Sequence, residues 1–208
     1  MVELFPGVFH WSVFHEPIRG RVSSYYVRPA GIVIDPKLPD GGFEELPGRP
    51  EQVVLTTGLH NRDARQFAEA FDIPIRASEE ALERLGGDLE VEPFRDRDEI
   101  APGVTALTID KLAPDEGALH IAVDAGALAF ADGIHRYGGA LGFFGDDLLG
   151  DDPGAVKQGL KDAYRGLLTR DFDHLLFAHG DPLVGGGKAA LKKFVNSPAG
   201  EEDYGQAI

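Results

Sequence analysis

The chain has 208 residues, is 43% apolar, carries a formal net charge of −15 and contains no cysteine. That length and apolar share suit one domain with a sizeable core; the missing thiols exclude disulfides, thiolate nucleophiles and Cys-type zinc sites, leave any metal to His, Asp or Glu, and fit a cytoplasmic setting. The acidity argues against a general grip on nucleic acid, which needs Lys and Arg to displace counterions, and neither a signal-peptide pattern nor a membrane-length apolar stretch occurs.

In chain order, short strands come first: GVFHWSVF, VSSYYVRP, and GIVIDP closed by Asp-Pro. QVVLTT then reads as a strand that enters a polar turn, and Asp63 to Phe71 follows as a helix with apolar positions at helical spacing. IPIRAS is a strand and SEEALERL a helix, with Ser78 as N-cap and glutamates in its first turn. LEVEPF and VTALTID read as strands, and Leu119 to Phe130 as a hairpin with Asp124 and Gly126 near its turn.

GDDLLGDDPG reads as a solvated acidic loop, because Asp146, Asp147, Asp151 and Asp152 lack the alternation and the downstream Glu of a calcium loop. AVKQGLKDAYRGLL is a helix, HLLFAH a strand and KAALKKFV a helix, closing a domain over 1–198 before a polar tail over 199–208. The run GDPLVGGGKAALKKF imitates a phosphate loop, but Pro182 and Ala189 stand where a glycine and a Ser or Thr are required, so it reads as a helix-entry turn. No G-x-S-x-G elbow occurs, and Ser23, Ser24 and Ser78 lack the context of activated nucleophiles. This series predicts an α+β fold, with mixed sheets covered by helices on both sides.

The early strands ending in IVIDP, the corner VVLTTGLHNRDARQFAEAFDIPIRAS, and the segments LTIDKLAPDEGALHIAV, LAFADG and LLFAHGDP together resemble the metallo-β-lactamase-like superfamily over nearly the whole chain. The resemblance implies a four-layer αββα sandwich, two mixed sheets flanked by helices, with a site at one rim. In that superfamily the corner carries T-H-x-H-x-D-H, whose side chains converge on one or two metal ions. Aligned without gaps, Thr57, Leu59, Asn61 and Arg62 fall on the His, His, Asp and His positions. In the other register His60 takes the second histidine and Asp63 the last, with Gly58 and Arg62 on the first histidine and the aspartate.

The histidine of the superfamily's P-G-H-T-P-G segment falls on Pro114, which has no donor atom, although neighbouring Asp115 could point inward. LAFADG keeps the bridging aspartate as Asp132, and LLFAHGDP keeps His179. The resemblance thus implies His60, Asp63, Asp132 and His179 as metal-ligand candidates. Arg62, Asp115 and His135 are further rim residues, His135 because it lies three residues beyond Asp132. His60 and Asp132 also read as ordinary turn residues. His10, His15, His120 and His174 have surface or hydrogen-bonded structural readings.

Zinc catalysis takes about three protein ligands and an open position for water. Asp132 and His179 with either His60 or Asp63 would supply such a set, rich enough in carboxylate to favour manganese or iron. Arg62, in the same turn, competes with a cation and could pair with Asp132 in the vacated position. The expected function is therefore a superfamily fold that has lost two-metal hydrolysis and needs no cofactor, its rim left for a small molecule or a partner. The alternative is a hydrolase holding one Zn, Mn or Fe ion and acting on an ester, thioester or lactone. Phe9, Trp11, Phe14, Tyr25 and Tyr26 read first as core; a pocket lining or a homo-oligomer face is their second reading.

Overall fold

Alternating and continuous apolar runs pair into two sheets in a computed structural model that describes residues 1–87 and 89–197. The segment read as a polar tail, 199–208, lies outside the described residues. The first sheet holds β1 (Val2–Phe5), β2 (Val8–His15), β3 (Gly20–Val27), β4 (Ile32–Ile34), β5 (Gln52–Val54), β6 (Ile75–Ser78) and β7 (Val91–Phe94), in sequence order across the sheet. Tight turns let β1 to β4 run antiparallel, whereas β4 to β7 are parallel and need crossovers. Helix α1 (Ala64–Phe71) provides the crossover from β5 to β6, and α2 (Ala81–Leu85) the one from β6 to β7.

The second sheet contains β8 (Glu99–Ala101), β9 (Val104–Thr108), β10 (Gly117–Ile121) and β11 (Ala127–Phe130) as an antiparallel meander. A separate hairpin of β12 (His135–Tyr137) and β13 (Ala140–Gly142) follows. Helix α3 (Pro153–Leu167) then crosses to β14 (His174–Phe177), which pairs parallel with β11 at the sheet edge, and α4 (Gly187–Asn196) closes the described chain.

Side-chain alternation along the strands sorts the core into three layers. Leu176 of β14 faces the inter-sheet cluster with Tyr25, Ile32, Ile34, Val54 and Leu119. Its neighbours Leu175 and Phe177 face the other way, against Leu160 and Tyr164 of α3 and Leu191 and Phe194 of α4. On the opposite outer face, Val33, Val53 and Ile75 pack on Phe67 of α1 and on Ala81 and Leu85 of α2. The result is the αββα sandwich with two mixed sheets, in which each fully buried Leu, Ile or Phe contributes about 1.5–3 kcal/mol. The sheets are also stapled by Tyr25, whose phenol donates to Phe177 O at 2.8 Å and accepts from Phe177 N at 3.0 Å.

Two local expectations need correction. Ser78 does not cap α2: it belongs to β6, its Oγ is buried without a partner, and Glu80 is the N-cap. Strands β1, β8, β12 and β13 are additional to the elements read from sequence; each is three residues long or interrupted by a register shift, too short to show a period. No helix among the described residues is long and apolar enough to cross a membrane.

Candidate metal centre

The site forms where four chain segments leave their strands at one rim. Asp35 follows β4 in a left-handed conformation (φ +46°) that swings its carboxylate under the next corner. There it accepts Thr56 N–H at 2.8 Å, Thr56 Oγ at 2.5 Å and His60 Nδ1–H at 2.9 Å. His60 itself ends a single 3-10 turn, Gly58–His60, entered through Thr57.

Asp132 and His179 each precede a glycine that the packing demands. A Cβ on Gly133 would lie 2.3 Å from Tyr164 Oη and 2.9 Å from Glu116 Oε1. Gly180 sits at φ +86°, where a Cβ would come within 2.1 Å of Arg136 O. The Asp-Gly and His-Gly pairs are therefore close-approach positions.

These segments produce a continuous chain of alternating carboxylates and imidazoles. His60 Nε2 is 3.0 Å from Asp132 Oδ1, and His179 Nε2 is 2.9 Å from the same oxygen. Burial opposes charge on Asp132, but His60 and His179 outweigh it and hold the carboxyl well below the usual range. An ionised carboxylate only accepts, so both ring Nε2 atoms donate to Asp132, and Asp35 takes the Nδ1 proton of His60. His60 is thus a buried imidazolium: desolvation lowers it, yet Asp132 and Asp35 push it up to about 9. His179 is lowered by burial, which its bond to Asp132 does not fully offset.

Ligand atoms of His60, Asp132 and His179 all lie within 4.8 Å of one another, which suits one metal ion. Asp35 behind His60 matches the outer carboxylate that orients a ligating histidine. His60, Asp132 and His179 form the sole such group among the described residues.

Arg62 lies beside the cluster at φ +30°, an uncommon conformation for a residue with a side chain. Its Nη1 donates to Ser23 O and Asp35 O, each at 2.8 Å, while Nη2 is buried without a partner. The direct pairing with Asp132 that the sequence left open is not formed; the guanidinium makes these carbonyl bonds instead. Burial lowers Arg62, but Asp35 and Asp132 act to keep it charged. Two cations, Arg62 and His60, thereby face two anions, Asp35 and Asp132.

The remaining candidates are placed elsewhere. Asp63, the alternative to His60, is outside the group: its carboxylate binds Lys37 Nζ at 2.9 Å and Leu38 N–H at 2.7 Å, joining the loop after β4 to α1. Asp115 does point inward, but onto Thr57 Oγ at 2.9 Å, Gly58 N–H at 2.8 Å and Arg84 Nε, so it braces the corner. His135 is buried with Nε2 on Phe143 O at 3.0 Å and Nδ1 unpartnered, and it is not a member of the three-residue group.

Sequence reasoning missed Asp35 and Glu116. Asp35 had a signal, an aspartate closing the apolar run GIVI. Glu116 had none: it is buried beneath Asp132, accepts Gly133 N–H at 2.6 Å, and is pushed up to about 8 by desolvation and by Asp132.

No family model and no curated protein sequence matches the chain. Solved structures match it in shape. A metallo-beta-lactamase from Hirschia baltica has a TM-score of 0.62 at 14% identity, covering 93% of this chain and 94% of that one. A metallo-beta-lactamase from Staphylococcus aureus subsp. aureus COL has a TM-score of 0.60 at 12% identity, covering 95% and 69%. TTHA1623, solved in a di-iron-bound form, has a TM-score of 0.58 at 20% identity, covering 90% and 96%. Such identities carry the fold and leave the chemistry to the site. The chain has the metallo-β-lactamase fold.

Proposed function

We propose that this protein has exchanged a two-metal hydrolytic centre for a self-neutralising cluster of side chains, and that its rim binds a small molecule. The observation that carries this reading is Arg62, a guanidinium enclosed beside Asp132 and His60 and fastened to two backbone carbonyls. It supplies a permanent positive charge next to the candidate ligands. Together with the His60 imidazolium it balances Asp35 and Asp132, so the cluster is electrically complete as it stands. An incoming ion would have to displace the Nε2 protons of both histidines while facing Arg62.

A second reading is favoured by one feature, the Asp35 carboxylate that orients His60 from behind. Under it His60, Asp132 and His179 would hold a single ion, which would supply a bound water acidic enough to attack an ester, thioester or lactone. Both readings meet the same test. Protein purified without an affinity-tag metal, offered zinc, manganese and iron in turn and then desalted, is expected to retain none. Stoichiometric retention that disappears in Asp132→Ala and His179→Ala would establish the one-metal reading and end the first. Binding itself is checked by screening small molecules for a rise in Tm that His179→Ala abolishes.

A further inference from the structure

Strand β4 ends at Ile34, opposite Tyr25, so the edge of β3 beyond that point is free of its neighbour. Ser23 uses this edge to reach the turn that carries His179. Its N–H donates to Ala178 O at 2.9 Å, and its Oγ donates to Gly180 O at 3.2 Å. Both peptide neighbours of His179 are thus held by one residue of the other sheet, whose own carbonyl accepts Arg62 Nη1.

Ser23 Oγ also lies 3.0 Å from His10 Nε2. Because the hydroxyl proton is directed to Gly180 O, His10 is the donor in that contact, and it fixes the hydroxyl rotor. Stacking on Tyr25, at 5.0 Å between ring centroids, fixes His10 in turn. On the opposite side of the turn, Arg136 N–H donates to His179 O at 3.3 Å and Asp181 N–H to Arg136 O at 2.9 Å. His179 therefore sits in a turn clamped from β12 and from β3; on the β12 side Arg136 Nη1 holds Pro182 O at 3.2 Å, and on the β3 side Ser23 Oγ holds Gly180 O, next to His179.

We propose that Ser23, locked by His10, is a positioning residue for His179: its hydroxyl sets the direction in which the imidazole meets Asp132. This rests on reading His60, Asp132 and His179 as the functional site, with or without an ion. Ser23 touches none of the three side chains and acts through the backbone on either side of His179.

The test uses the full chain, dialysed against chelator and labelled with 15N-histidine, and reads the imidazole N–H protons by NMR. In the native protein the His179 Nε2–H bonded to Asp132 is expected as a slowly exchanging resonance. Ser23→Ala and His10→Ala should each speed its exchange by about three- to tenfold, the effect of loosening one hydrogen bond, with the His174 ring N–H unchanged. Ser23→Thr, which keeps the hydroxyl, should restore the native rate. Unchanged exchange at His179 in both alanine variants overturns the proposal, and so does an equal acceleration at His174, which would mean only a loss of global stability. If Ser23→Ala does not fold, His10→Ala decides alone. An ion found at the rim would end the metal-free reading of function and leave this measurement standing, because the metal-free ring is what it reports.

Discussion

Asp132 is the residue on which the rim depends, since one oxygen serves two ring donors. Asp132→Asn keeps the shape and removes the charge, leaving the His60 imidazolium to Asp35 alone. With 19% of its side chain exposed, Asp132 belongs at the low end of the cost of breaking a buried pair, about 3 kcal/mol. Urea unfolding measures this directly; a loss below about 1 kcal/mol would show that the two histidines are not held by that carboxylate. At this scale the sequence was partly legible. Asp132 and His179 stood out because each precedes a glycine within a recognisable segment, whereas the choice between His60 and Asp63 was open. The fold decided it: Lys37 and the Leu38 amide claim Asp63, and Asp35 claims His60.

Two elements meet at Tyr25, where the first sheet hydrogen-bonds to the backbone of β14 in the second. Tyr25→Phe keeps the ring but leaves Phe177 N–H and C=O without their partner in a buried interface. The expected cost is about 1–3 kcal/mol, read as a lower urea midpoint at an unchanged m-value. Gly180→Ala acts on the His179 turn, because the new methyl would collide with Arg136 O at a positive φ that alanine avoids. Its expected signature is local: the His179 ring resonances shift while the bulk of the fold unfolds cooperatively as before. The longer elements were legible in sequence because α1, α3 and α4 repeat apolar residues at helical spacing and β2 and β14 are dense in apolar residues. Strands β8, β12 and β13 escaped because three residues cannot display a period; their partners define them.

For the whole molecule, the buried titratable groups predict how stability varies with pH. His60 is raised to about 9 from an ordinary 6.5, so its contribution is fully present below about pH 6.5 and is lost as pH rises through 9. Glu116, raised to about 8 from 4.5, acts with the same sign: the fold keeps a proton that the unfolded chain has released, and stability falls between those values. Asp35 and Asp132 are lowered from 3.8, so their contributions are present above that pH and are lost as pH falls through their folded values. His10, His135 and His179 are lowered from 6.5 by burial, so their contributions are lost as pH falls below that value, and metal-free protein should be most stable roughly at pH 6–7 and weaken toward pH 9. Glu116→Gln should reduce the fall between about pH 6.5 and 8 and leave the His60 part. Equilibrium unfolding across that range checks both signs, and a maximum near pH 9 would contradict them.

From sequence alone, the order of apolar strands and helices pointed to mixed sheets covered by helices, and the resemblance to the metallo-β-lactamase-like superfamily implied the four-layer sandwich. The resemblance to the superfamily set Pro114, and in the ungapped register Thr57 and Leu59, at positions where that superfamily has histidines. Tertiary structure decided the composition of the rim. Asp35, His60, Asp132 and His179 are spread over more than two thirds of the chain and meet only because β4, β5, β11 and β14 end at the same edge of the sandwich. Their protonation follows from that meeting, since a carboxylate or imidazole takes its charge from the groups packed against it and from the water that packing removes.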